Sequence, residues 1–326
     1  MAASLLERRL HFVVGKGGVG KTTVAAALGL LLARRGRRTL VVEMDAAGRL
    51  PALLGGRGGE YTPTAVGAGL HVLTVDGRMA LEEYLGLIIP VKRLLATVFA
   101  SKIYQYFVAA APGLKELMTI GKIWYEATRE TAGRPMWDAI VVDAPATGHS
   151  LQSLRMPQAA RDTFGAGLVR NEAKKITDLL RDRRTTAVHL VTLAEEMPVA
   201  ETLETRAQLV GPLDLPPGYV VVNRLHGRHF APALVERLRT PLAPVTGAER
   251  ALLACVAERA AEESGWADIN TAHLARLRAG IGDAPVIELP FLFVEEFGSG
   301  QVNELSRLLE AAVARQPAAG RRAGTR

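Results

Sequence analysis

At 326 residues the chain can bury a substantial core, and with 48% hydrophobic and 22% charged residues its composition is that of an ordinary globular protein rather than a disordered one. The formal charge of +7 is spread along the sequence, with several positive residues in the final RQPAAGRRAGTR, and nothing resembles a recognition helix, so no nucleic-acid partner is expected. The single cysteine, Cys255, excludes an intramolecular disulfide and points to a reducing compartment.

The first residues, MAASLLERRLHFVVG, lack the charged-then-apolar order of a secretory signal, and no apolar run is long enough to span a membrane. The expectation is a cytoplasmic protein without a transmembrane segment. The first strand is read over His11–Val14. It is followed by Gly15-Lys16-Gly17-Gly18-Val19-Gly20-Lys21-Thr22-Thr23 and a helix from Thr22 to about Arg34. Further short, β-branched, nearly continuous apolar runs cover Thr39–Glu43, Leu70–Val75, Ala139–Val142, Val188–Leu193, Tyr219–Val222 and Val286–Leu289. Such runs suit strands buried on both faces, and the helical stretches between them suit a parallel sheet.

From Met79 to Ala127 the strand signal disappears and several helices are expected, with Pro112-Gly113 as a break and helix start. A second helical stretch runs from about Ser150 to Arg184, and the region from His226 to Gly282 is helix-rich without clear divisions. The expected organisation is one α/β domain over residues 1–315. A helical subdomain is inserted in it from about 79–130 and 150–184, and residues 316–326 form a disordered tail.

The loop after the first strand satisfies G-x-x-x-x-G-K-[ST] in the required context of strand before and helix after. Glycines let backbone N–H groups converge on phosphate oxygens, so Gly15, Gly17, Gly18, Val19 and Gly20 are read as the cradle. The following helix N-terminus adds partial positive charge. Lys21 is placed for the β/γ-phosphates, the Thr22 hydroxyl for Mg2+ and Thr23 for the α-phosphate. The fold class is therefore an α/β P-loop NTPase with a mainly parallel sheet flanked by helices, and its ligands are ATP and Mg2+. Trp137–Asp143 (WDAIVVD) supplies the second required part, an acid closing a buried strand, so Asp143 is expected to hold Mg2+ directly or through water.

The loop carries an extra lysine, Lys16. In this it resembles the deviant phosphate loop of the arsenical-pump ATPases, the tail-anchored-protein targeting ATPases, the partitioning ATPases and the nitrogenase iron protein. The resemblance implies that Lys16 reaches across a nucleotide-sandwich dimer, a homodimer or a heterodimer with a paralogue, to the other subunit's ATP. Asp143-Ala144-Pro145-Ala146-Thr147-Gly148-His149-Ser150-Leu151 is similar to the D-x-A-P-T-G-H-T-L switch of the arsenical-pump and tail-anchored-protein targeting branch. Ala111–Glu116 (APGLKE), Pro198–Thr202 (PVAET), Val222-Asn223-Arg224 and Leu289–Leu292 (LPFL) resemble further motifs of that branch. The likeness runs from about His11 to Leu309 and fits its bacterial, particularly actinobacterial, members.

The same resemblance implies that Asp45 orients the attacking water, although the family's D-P-A-H-N reads Asp45-Ala46-Ala47-Gly48-Arg49 here. It implies that Asn223 contacts adenine and that Pro290 lies over the adenine ring. The implied activity is Mg2+-dependent ATP hydrolysis coupled to handling a membrane-protein client. The helices around Leu94, Leu95, Val98, Phe99, Ile103, Tyr106, Phe107, Leu114, Leu117, Met118 and Ile120 could supply an apolar groove, or simply pack on themselves. One cysteine cannot make the thiol site of an arsenical pump, a zinc-binding C-x-x-C pair or an iron–sulfur centre. A partitioning-type spatial switch and a nucleotide-binding switch with little turnover remain as alternatives. The tail, without an apolar stripe, disfavours the first of these, and the altered segment at Asp45 keeps the second open.

Overall fold

A computed structural model of the chain describes residues 5–44, 48–56, 60–88, 99, 101–102, 113–164, 166–240 and 247–316. Eight strands form one sheet: β1 (Leu10–Gly15), β2 (Thr39–Met44), β3 (Thr64–Gly67), β4 (Leu70–Val75), β7 (Ala139–Asp143), β8 (Thr186–Leu193), β9 (Pro217–Leu225) and β10 (Val286–Pro290). A small ribbon of β5 (Glu130–Thr131) and β6 (Arg134–Pro135) stands apart. The strand order is β10-β9-β8-β1-β7-β2-β4-β3, parallel throughout except for β3, which runs antiparallel to β4 at the edge.

All seven strands expected from their apolar runs are present. The additional edge strand β3 alternates half-buried and exposed residues over only four positions, too short and too mixed to show as a run.

The helices are α1 (Lys21–Arg34), α2 (Arg49–Leu53), α3 (Gly77–Ile88), α4 (Leu114–Thr128), α5 (Thr147–Thr163), α6 (Leu168–Arg181), α7 (Glu196–Val210), α8 (Pro232–Arg239), α9 (Gly247–Ile281) and α10 (Ser299–Ala314). Successive strand residues point to opposite faces, so each face gathers its own core. Leu10, Phe12 and Val14 of β1 with Leu40 and Val42 of β2 meet Ile120, Ile123, Leu151, Leu154, Ile176, Val199 and Leu277 from α4, α5, α6, α7 and α9. On the other face Val13 and Val41 meet Val24, Leu28 and Leu31 of α1, and Val302, Leu305 and Leu309 of α10. The result is a helix–sheet–helix sandwich.

The topology decides where chemistry can occur. β1 lies between β7 and β8, and the chain leaves it to place strands on both sides. In a parallel sheet the crevice at such a switch point, beyond the carboxyl ends of the strands, is where ligands bind. Gly15, Met44, Asp143, Leu193 and Leu225 all end strands at that edge. Of the expected groove residues, Leu94, Leu95, Val98, Ile103, Tyr106 and Phe107 lie outside the described residues, as do Pro112 and the 317–326 tail. Among the described residues no helix is long and apolar enough to cross a membrane.

Candidate active site

The loop between β1 and α1 turns on glycine. Gly18 and Gly20 have φ of 83° and 92°, in the left-handed region that side chains avoid. A Cβ at Gly15 would stand 2.2 Å from the Val191 carbonyl oxygen of β8, and one at Gly20 would stand 2.3 Å from the Asn223 side-chain nitrogen. Strands β8 and β9 thus press on the loop from below, and only glycine fits. Gly20 caps α1 without a side-chain hydrogen bond, so the first N–H groups of the helix point into the crevice.

Both lysines of the loop have partners. The Lys21 ammonium donates to the Lys16 carbonyl oxygen at 3.0 Å, curled into the space over the loop. Burial lowers its pKa, with the charge of Asp143 working the other way. The Lys16 ammonium is 2.7 Å from Glu201 Oε1 on α7.

Two carboxylates lie beneath them. Asp143 closes β7 and Glu43 lies in register with it on β2. Both are buried. Burial pushes the Asp143 pKa from about 3.8 up to about 6; a hydrogen bond from the Thr22 side chain and the charge of Lys21 pull it down, and Glu43 pushes it further up. Glu43 Oε1 accepts the backbone N–H of Arg49 at 3.1 Å, which draws the start of α2 to the site. Asp143 Oδ1 and Glu43 Oε2 are buried without hydrogen-bond partners among the described residues. A buried, unpartnered carboxylate oxygen is costly, and a cation relieves it. One or two carboxylates and a hydroxyl, with phosphate oxygens and water, suit Mg2+, which seldom takes an all-protein cage.

The adenine end is partly spoken for. The Asn223 amide donates to the Val19 carbonyl at 2.9 Å, bracing the loop with its nitrogen. Pro290 closes β10 beside Leu225, and the Phe291 N–H donates to the Leu225 carbonyl at 2.9 Å. His226 stacks on Phe291 at 4.7 Å between ring centres, and its backbone N–H donates to the Asn270 side-chain oxygen at 2.9 Å. Arg224, near the end of β9, takes φ 54°, a strained conformation for a residue with a side chain.

Gly15, Lys16, Gly17, Gly18, Val19, Gly20, Lys21, Thr22, Thr23, Asp143, Asn223 and Pro290 therefore all stand at the carboxyl edge of the sheet, while Asp45 lies outside the described residues. Sequence reasoning assigned no role to Glu43 or Glu201. The signal for Glu43 is a charged residue inside the otherwise apolar run TLVVEM, and the signal for Glu201 is the PVAET motif that contains it.

The model of the family described as Anion-transporting ATPase matches residues 8–170, half of the chain. The chain is 37% identical over 237 residues to the ATPase BagA of Mycobacterium tuberculosis, covering 69% of this chain and 67% of the relative. It is 30% identical over 239 residues to protein Rv2184c of the same organism, covering 62% of this chain and 56% of that protein. A Prosthecochloris vibrioformis protein provisionally named an arsenical pump-driving ATPase is 27% identical over 244 residues, covering 62% of this chain and 57% of that protein.

Proposed function

This chain belongs to the anion-transporting ATPase family and is an ATPase, and we propose that it hydrolyses ATP with Mg2+ in a nucleotide-sandwich dimer whose opening and closing serves an apolar, membrane-protein client. The observation that carries the reading is the pair of phosphate-loop lysines set over two buried carboxylates with orphaned oxygens.

In this reading the backbone N–H groups of the loop and the α1 N-terminus bind the phosphates. Incoming phosphate draws the Lys21 ammonium off the Lys16 carbonyl and onto the β- and γ-oxygens. Thr22 and Asp143 would hold Mg2+, with Glu43 beside them in its outer shell, and the ion would neutralise charge on the phosphates. Asn223 offers the rest of its amide to adenine, and Pro290 with Phe291 closes over the base. Asp45 orients the attacking water. Lys16 reaches the nucleotide of the facing subunit, where a cation stabilises charge developing on the transferring phosphoryl group, so that hydrolysis waits for dimer closure.

An apolar groove of about 330 Å³, between α3, α4 and α6 and including Leu81, Leu117, Met118, Tyr125, Phe164 and Ile176, supports the client reading. A thiol-bound metalloid needs more soft ligands than Cys255, the sole cysteine of the sequence, supplies.

Light scattering on wild type and Lys16→Ala, each with and without ATP and Mg2+, with phosphate release followed in parallel, tests this. A wild type that dimerises on ATP and turns over, beside a Lys16→Ala protein that binds ATP and does not turn over, supports it. A Lys16→Ala protein that hydrolyses normally as a monomer overturns it.

A further inference from the structure

We propose that Glu201 is a positioning residue that holds Lys16 folded back on its own subunit until nucleotide and a second subunit are in place. The inference rests on the reading above, that Lys16 acts across the dimer, and adds what keeps that lysine from acting earlier. Glu201 stands on the second turn of α7, and its Oε1 lies 2.7 Å from the Lys16 ammonium. Lys16 is gripped twice: its side chain by Glu201 and its carbonyl oxygen by the Lys21 ammonium at 3.0 Å. The second grip is made by the group that must move to bind phosphate. Nucleotide binding therefore breaks one tether directly and leaves Lys16 on Glu201 alone.

The remaining tether has the properties of a latch rather than of a strut. Side-chain exposure is 34% for Lys16 and 36% for Glu201, so water screens the pair. Half-exposed ion pairs of this kind shift an equilibrium by only about 1.4- to 5-fold. A permanent structural pair would be buried, as Lys122 and Glu126 are. A triphosphate carries more negative charge than one carboxylate and outcompetes it once the facing subunit brings it within reach. Gly17 follows Lys16, and a Cβ added there would meet nothing nearer than the Ala146 Cβ at 4.0 Å, so the chain beyond Lys16 has room to move. Glu201 also lies at the cleft between α5 and α7 with Thr147, Gly148 and Arg155, so a release of Lys16 is felt where the switch segment begins α5.

Opening two latches per dimer squares the effect, so Glu201→Gln is expected to tighten dimerisation by about 2- to 30-fold. The test is sedimentation of wild type, Glu201→Gln, Lys16→Ala and the double variant with a non-hydrolysable ATP analogue and Mg2+, with ATP turnover measured on the same four proteins. The expected result is tighter dimerisation by Glu201→Gln in the wild-type background and no change on adding it to Lys16→Ala. If Glu201→Gln behaves as wild type while Lys16→Ala loses turnover, the latch is wrong and the cross-subunit lysine stands. If Glu201→Gln shifts dimerisation equally in both backgrounds, Glu201 acts without Lys16 and the latch is again wrong. Full turnover by Lys16→Ala removes the cross-subunit reading and the latch with it.

Discussion

Glu43 and Asp143 face each other at the same level of neighbouring strands β2 and β7, and each keeps one buried carboxylate oxygen unpartnered among the described residues. Two acids so placed cost stability in the free protein and gain it when a cation arrives. The folded pKa of Asp143, about 6, exceeds its ordinary 3.8, so its penalty is absent below about pH 4, grows as pH rises and is complete above pH 6. At about 1.4 kcal/mol per pH unit this is a penalty of roughly 3 kcal/mol at most. Asp143→Asn is therefore expected to raise the melting temperature of the nucleotide-free protein at pH 8 by a few degrees and to leave it unchanged at pH 4. The same variant should lose the stabilisation that Mg2+ with ATP gives wild type; an Asp143→Asn protein less stable than wild type at pH 8 would contradict the argument.

Glu43 contributes differently, because one of its oxygens is already committed to the N-terminus of α2. Glu43→Gln keeps that acceptor and removes the charge. Its Mg2+ dependence of turnover should shift to higher concentration, by about tenfold if Glu43 acts through the metal's outer shell. ATP affinity measured without metal should change little. An unchanged Mg2+ dependence would show that Asp143 and Thr22 suffice.

Lys21 separates activity from folding. In the free protein its ammonium makes one hydrogen bond, to the Lys16 carbonyl, at the expense of partial burial. Lys21→Ala should leave the melting temperature within about a degree or two of wild type, since a single hydrogen bond nets about 1 kcal/mol. Turnover should fall by at least about a hundredfold, the scale of losing one charge-stabilising donor. Steady-state phosphate release beside a thermal melt decides it, and a large stability loss would mean that the lysine is structural.

What the chain shows by inspection and what it conceals follow one physical line. Strand β1 is buried at every position and is apolar apart from His11, so most of it reads as a strand, and the phosphate loop is legible because its chemistry is contiguous. Helix α9 is not. Its buried face is built of Ala257, Ala260, Ala267, Asn270, Leu277 and Ile281, and alanine occurs on its other faces too, so a 35-residue helix leaves little periodic signal. The pairs that complete the site, Glu43 with Asp143 and Lys16 with Glu201, are joined only by strand order and by the docking of α7. No local pattern brings such distant residues together.

The sheet also holds an acid-sensitive chain unrelated to the nucleotide. The Tyr219 N–H donates to His189 Nδ1 at 2.9 Å, so the His189 proton sits on Nε2 and points at His11 Nδ1, 3.1 Å away. His11 in turn donates from Nε2 to the Arg8 carbonyl at 2.8 Å. Every nitrogen is satisfied with both rings neutral, and a proton on His189 Nδ1 would meet the Tyr219 N–H. Burial is the main cause that lowers both pKa values, to about 3 for His189, with His11 also well below its ordinary 6.5. The unfolded chain thus binds two protons near pH 6.5 that the folded one refuses, and stability present above pH 6.5 is lost as pH falls. Asp143 opposes this below pH 6 by taking up one proton in the folded state. With two protons taken up by the unfolded chain against about one by Asp143, the net slope from these groups is about 1.4 kcal/mol per pH unit between pH 6 and 4. His11→Gln, whose amide can still donate to Arg8, removes one of the two refused protons and leaves the other offset by Asp143, so its slope between pH 6 and 4 should be close to zero. Urea midpoints measured every half pH unit from 4 to 8 on the two proteins give the comparison, and parallel curves would exclude the histidine chain as the source of acid sensitivity.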